Sequence, residues 1–321
     1  MKIIHLFSFV LLAIIGSLVG FGWGDMGTID LDQVTLSTNE SSSTAEASHE
    51  EDHEEDHEEE KINEQELRIQ KLEEAAERGA APHITVLTYH NIISKENLKE
   101  RHYGDDGNLS STIVLLEDFK QQMNVLHENS FFTLTLEEFE KYITSKIPVP
   151  EKSVLLTFDD GHKNNYIEAY PVLKKYDFHA VEFLITNRNK DKTVPYNTDT
   201  NQYLSHQEIE AASDVFEYAS HTNSFHNLDN GTPYLISKSL PEIQEDVETS
   251  IELIGDTNAL AYPYGAYDEQ TMEALDVAGI DFAFTVQAGY VQPGDDMLQI
   301  HRNSVRPYNT IEDFKNVMEI N

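Results

Sequence analysis

The sequence predicts an α/β fold in which parallel strands curl into a barrel. Three observations carry the prediction. From residue 83 onward, short apolar runs rich in β-branched and aromatic residues alternate with segments of helical periodicity, the pattern of successive βαβ units. About seven or eight such runs can be counted, a number that suits a barrel. Two clusters of acids and imidazoles, Asp159-Asp160 and His221 to His226, each fall directly behind a predicted strand, where a barrel carries its active site.

The elements follow in order. Ile84–Tyr89 is a strand candidate, followed by an amphipathic helix over Leu116–Asn129 with Phe119, Met123 and Leu126 on one face. Phe131–Leu134 forms a short strand, and Thr135 opens a helix over Leu136–Ser145. Ser153–Phe158 is a buried strand, Asn165–Tyr176 a helix bent near Pro171, and Ala180–Ile185 another strand. Ser205 caps a helix running to Ala212, and Phe216–Ala219 is a strand ending at the histidines. Helices over Ile243–Ile254, Asp268–Ala278 and Ile311–Glu319 alternate with strands over Ala259–Tyr262 and Phe282–Val286.

The N-terminal quarter reads differently. Met1-Lys2 and the apolar stretch Ile3–Trp23 form a secretory signal or a signal-anchor over residues 1–24, which directs the protein outside the cell or to the outer face of the membrane. About 20 apolar residues are enough to span a bilayer, so a cleaved signal and a retained anchor both stand. Residues 25–80 form an acidic His/Glu-rich linker and helical stalk. Within it His49, His53 and His57 recur every four residues, either a solvated spacer or a metal-capturing tract. The folded domain is expected over 81–321, as a monomer touching membrane only through the N-terminal segment.

Composition narrows the function. The chain has no cysteine, which excludes disulfides, zinc fingers, thiol catalysis and a lipoprotein anchor. Its formal net charge of −36 argues against nucleic acid as a partner. Residues 40–78 carry 16 acids against 4 bases, yet residues 79–321 still hold a net −22. Such a surface repels acidic polymers and tolerates neutral or cationic ones.

The chemistry centres on Thr157-Phe158-Asp159-Asp160-Gly161 and Ser220-His221-Thr222-Asn223-Ser224-Phe225-His226. One Asp and two His make a three-ligand open metal site, and the other Asp is then free to act as general base. This pair of motifs resembles the NodB-homology polysaccharide deacetylases, carbohydrate esterase family 4, across residues 83–310. The resemblance implies a distorted (β/α)7-type barrel of the polysaccharide deacetylase kind and hydrolytic N-deacetylation of N-acetylglucosamine units in an extracellular glycan. It implies one divalent ion, zinc before cobalt, nickel or iron, held by Asp160, His221 and His226, with Asp159 as base and Thr222 bracing the loop. The spacing of five between the histidines resembles the branch acting on poly-β-1,6-N-acetylglucosamine, the biofilm exopolysaccharide. In that branch a Tyr-His pair on the first strand supplies the general acid, which maps onto His90, with His301 as its rival. Pro263-Tyr264-Gly265 resembles the third motif and implies an oxyanion-binding backbone N–H at Tyr264. The Arg that precedes that Pro in the family is replaced here by Ala261-Tyr262, and Arg302 is the candidate to orient Asp159 or meet substrate. Peptidoglycan or chitooligosaccharide is the alternative substrate, and a catalytically weak, anchored glycan-binding module is the alternative role. His162 is expected in an exposed loop, and His83, His102, His127, His179 and His206 at the surface or in satisfied structural positions.

Overall fold

The computed structural model describes residues 65–255 and 257–320. The signal segment, the His/Glu tract and the start of the expected stalk lie outside the described residues. No helix among the described residues is long and apolar enough to cross a membrane.

A helix over residues 65–76 (α1) comes first. It is not a free-standing stalk. Leu72 and Ala76 are buried, Leu72 in the cluster that holds Leu134 and Phe139, and Arg68 pairs with Glu138 at 2.6 Å. The amphipathic pattern that reads as a solvated stalk has one apolar edge, and the domain covers it.

The strands are β1 (Ile84–Tyr89), β2 (Asn91–Ile93), β3 (Ile113–Leu115), β4 (Phe132–Thr133), β5 (Ser153–Asp160), β6 (Ala180–Leu184), β7 (Phe216–Ser220), β8 (Leu228–Asp229), β9 (Thr232–Pro233), β10 (Ala259–Ala261), β11 (Phe282–Phe284), β12 (Tyr290–Val291) and β13 (Asn303–Ser304). The main sheet runs β11-β10-β7-β6-β5-β1-β12, parallel throughout except where β12 meets β1. β13 pairs in parallel with β1, while Ile300 just before it bridges in parallel to Phe284 of β11. That segment brings the sheet round toward its first strand. Six parallel staves and this bridging stave give the distorted (β/α)7-type barrel that the family resemblance implies.

The helices are α2 (Leu116–Glu128), α3 (Leu136–Ile143), α4 (Tyr170–Lys175), α5 (His206–Ala211), α6 (Tyr234–Ser237), α7 (Leu240–Ile254), α8 (Glu269–Ala278) and α9 (Ile311–Val317). Capping boxes begin α3 at Thr135/Glu138, α5 at Ser205/Glu208 and α9 at Thr310/Asp313. The expected helix over Asn165–Tyr176 divides: Asn165–Ala169 is a π-turn and α4 follows, with Pro171 accommodated in its first turn. α7 begins three residues earlier than the apolar periodicity indicates, because Ser239 and Glu242 cap a turn that holds Pro241. Most of the main strands are buried, β5 nearly from end to end and β1, β6 and β10 completely, the signature of a parallel sheet covered on both faces, while β7 keeps Glu217 and Tyr218 partly exposed.

Candidate active site and metal centre

The strand C-terminal ends deliver the two motifs to one place. In the β5–β6 register Asp160 stands opposite Leu184, and the Leu184 carbonyl accepts the N–H of His221 at 2.8 Å. Asp159 and Asp160 continue β5 by two residues beyond the apolar run. Asp160 turns into the left-handed region (φ 78°), followed by Gly161 (φ 69°). The turn is tight: a Cβ on Gly161 would sit 2.8 Å from Leu184 Cδ2. Thr222 (φ 69°) and Tyr264 (φ 60°) are left-handed too. Three non-glycine residues in this costly conformation cluster around one site, a sign that backbone strain is tolerated there to aim side chains.

Asp160, His221 and His226 each offer a ligand atom, and these atoms lie within 4.8 Å of one another. Asp160 Oδ1 is 3.2 Å from His226 Nε2 and 3.6 Å from His221 Nε2. The set fits a divalent ion on three grounds. Asp160 Oδ1 is buried with no hydrogen-bond partner. His221 donates Nδ1–H to the Ala261 carbonyl at 2.7 Å, which leaves Nε2 as a free lone pair. Burial, with the His221 charge second, pushes the His226 imidazole down to about 4, so it is neutral and ready to ligate. Burial works against ionisation of Asp160, but the hydrogen bond from His162 and the surrounding imidazoles hold its carboxyl well below the usual range.

His162 is not the exposed loop residue its neighbours suggest. It is 6% exposed, donates Nε2–H to Asp160 Oδ2 at 3.1 Å and stacks on Tyr203. The histidine loop is braced by Asp246 of α7, which accepts from the Asn223 and Ser224 N–H groups at 2.9 and 2.8 Å and from the Ser224 hydroxyl at 2.6 Å. Thr222 helps through its backbone, its N–H donating to Ser220 Oγ at 3.1 Å and its carbonyl accepting the Thr186 N–H at 3.2 Å, while its hydroxyl is buried without a partner. Nothing in the local sequence marks Asp246, which sits among the acids of an ordinary amphipathic helix.

Asp159 is buried and gripped by Arg302 in a two-pronged pair, Nη1 to Oδ1 at 2.7 Å and Nη2 to Oδ2 at 2.9 Å. Arg302 also donates to the Thr285 carbonyl and the Thr157 hydroxyl. It has no exposed surface, so its place is behind Asp159 and not against substrate. Burial opposes the Asp159 charge, but Arg302 first, then His221 and His90, bring its carboxyl below the ordinary value. The guanidinium thus reaches Asp159 from β13's edge instead of from the residue before Pro263. Pro263 is likewise buried and serves the turn, whereas Tyr264 is half-exposed with its ring 4.6 Å from that of His226.

His90, at the end of β1, puts Nε2 3.9 Å from Asp159 Oδ2 and keeps a quarter of its side chain in solvent. Burial lowers its pKa, with Asp159 and Asp160 pulling the other way. His301 packs against Gly289, where an added Cβ would meet its Nδ1 at 2.2 Å, and among the described residues no hydrogen bond or ion pair joins it to either aspartate. Of the remaining histidines, His83 meets Glu319 near the surface and His127 leans on Tyr176, as expected. His102 departs from expectation: it is buried, and its Nε2 has no partner.

The family model for polysaccharide deacetylase matches residues 146–283. A poly-β-1,6-N-acetyl-D-glucosamine N-deacetylase of Staphylococcus epidermidis is 30% identical over 226 residues, covering 67% of this chain and 76% of that one. The structure of IcaB from Ammonifex degensii is 26% identical with a TM-score of 0.59, covering 75% of this chain and 97% of that one. The Streptococcus pyogenes deacetylase PplD, in complex with acetate, shares the fold with a TM-score of 0.63 at 23% identity, over 74% of this chain and 98% of that one.

Proposed function

The chain belongs to the polysaccharide deacetylase family, hydrolases of amide bonds, and from that premise we propose that it deacetylates N-acetylglucosamine units of poly-β-1,6-N-acetylglucosamine outside the cell with a divalent metal ion. The observation that carries the mechanism is the division of labour between adjacent carboxylates. Asp160 Oδ1 faces two imidazoles and is otherwise unpartnered, while Asp159 is held by Arg302.

Asp160, His221 and His226 would hold the ion, which when bound supplies Lewis acidity toward the acetamide carbonyl and acidifies water. Zinc suits the Asp-His-His set, as do cobalt, nickel and iron. Asp159 takes the proton of the attacking water, and Arg302 keeps that carboxylate ionised and fixed in direction. The Tyr264 backbone, left-handed beside His226, supplies an N–H to the oxyanion of the tetrahedral adduct. His90, close to Asp159 and open to solvent, gives a proton to the departing amine.

Three features support the glycan assignment: the five-residue spacing from His221 to His226, the Tyr89-His90 pair, and the similarity to the Staphylococcus epidermidis enzyme. The apolar segment 1–24 supports export. Retention of all four site side chains argues against a binding module without catalysis. Acetate release from β-1,6-linked N-acetylglucosamine oligomers, chitooligosaccharide and peptidoglycan, with Asp159→Asn beside the native protein, tests the proposal. Release from the first that Asp159→Asn abolishes is expected. Release only from another glycan would keep the chemistry and overturn the substrate.

A further inference from the structure

Beside Asp160 the surface opens into a cavity of about 250 Å3 whose walls include Arg101, Arg188, His102, His162, Asn91 and Tyr203. Among the described residues Asp160 is the only acidic side chain lining it, in a chain of formal net charge −36. The cations here are not neutralised by protein. Arg101 spends its guanidinium on neutral oxygens, the Thr198 and Thr200 carbonyls and the Asn201 carboxamide. Arg188 donates to the Tyr203 hydroxyl at 2.5 Å and lies 5.1 Å over the Tyr203 ring. Among the described residues neither has a carboxylate within ion-pair distance, whereas Arg68 and Arg302 are each paired with one.

A buried donor adds to this charge. His102 is 3% exposed, and its Nδ1 accepts the Lys99 N–H at 2.9 Å. Burial, then the Arg101 and Lys99 charges, lowers its pKa. Because Nδ1 accepts a hydrogen bond, the ring proton sits on Nε2, which has no acceptor among the described residues. A buried N–H without a partner is costly, and His102 is one of the residues that line this cavity. Asn91 gives its carboxamide oxygen to Asn164, which leaves its amide group to donate as well. The cavity adjoins a second, of about 370 Å3, that shares Asn201 and Tyr203 and adds Lys190 and Lys192.

We propose that this cavity is a subsite for an oxyanion carried by the glycan, a carboxylate or phosphate on the sugar next to the one that loses its acetyl group. The inference rests on the deacetylase reading above and refines its substrate. Guanidinium forks recognise both oxyanions with two parallel hydrogen bonds. The cavity is smaller than the roughly 300–1,000 Å3 of drug-sized ligand sites, which suits one substituent and not a chain. The acidic surface elsewhere repels an anionic polymer, so this strip selects where such a polymer is admitted.

The test is kcat/KM for acetate release from three N-acetylglucosamine oligomers of equal length: unsubstituted, carrying a carboxylate ether on alternate sugars, and carrying a phosphate. The native enzyme should favour at least one charged oligomer tenfold or more, through KM, and the favoured one identifies the source. Arg188→Gln and Arg101→Gln should each reduce that preference ratio about tenfold, and raising salt from 0.05 to 0.5 M should reduce it in the native enzyme without any substitution. Release from the neutral oligomer with no preference for either charged one would overturn the subsite and leave the deacetylase reading intact. A preference that neither substitutions nor salt diminish would also overturn it. Absence of release from all three would overturn both readings.

Discussion

Removing Arg302 gives the sharpest stability test of how Asp159 is held. Arg302→Met keeps the volume of the side-chain stem and deletes four hydrogen bonds: two to Asp159, one to Thr285 and one to Thr157. Asp159 is then left as a buried carboxylate without a counter-ion, a change that costs about 3–5 kcal/mol. Asp159→Asn strands the guanidinium instead, with a penalty of similar kind. The double variant strands no charge, so its loss should fall short of the sum by about 2–3 kcal/mol. Urea unfolding of the chelated proteins, followed by far-ultraviolet circular dichroism, measures this, since the single tryptophan, Trp23, lies outside the described fold. Additivity within about 0.5 kcal/mol would refute the pairing as the source of stability.

The other predictions concern the surroundings. Glu182 is fully buried with one carboxyl oxygen unpartnered, and burial pushes its pKa from 4.5 up to about 8. The folded state therefore keeps a proton that the unfolded chain has released. Stability falls as pH rises from about 4.5 to about 8, on the order of a few kcal/mol in all, and Glu182→Gln should flatten that slope in denaturation curves taken at pH 5 and pH 8. Asp246→Ala removes the brace from the histidine loop and should weaken metal binding about 10–100-fold in calorimetric titrations, with the ion-to-chain ratio unchanged at one. Gly161→Ala forces a Cβ against Leu184 at φ 69° and should lower stability by about 1–3 kcal/mol, read as a shift in the urea midpoint.

The parallel barrel and the Asp160, His221, His226 cluster were legible because each rests on a local signal: a strand-length apolar run followed at once by polar ligands. What escaped was set by tertiary contact. β13 is two residues long and has no pattern of its own, so the position of Arg302 behind Asp159, 143 residues away, could be suggested but not placed. Asp246 lies on a helix crowded with solvated acids, and only the fold turns it toward the histidine loop. His162 and His102 sit in polar stretches that read as exposed, yet both are buried, His162 against the Tyr203 ring. Helix α1 shows the same effect in reverse, its thin apolar edge of Leu72 and Ala76 being enough once the domain is there to receive it.

The most direct test of the central claim is to count bound metal and released acetate together. The full chain, stripped by chelator, would be titrated with zinc while acetate release from β-1,6-linked N-acetylglucosamine oligomers is followed, with Asp160→Asn and His226→Ala in parallel. The expected result is one ion per native chain, activity rising in proportion to occupancy, and loss of both in each variant. Full acetate release from the stripped protein, or tight one-to-one binding retained by both variants, would contradict a metal centre at Asp160, His221 and His226.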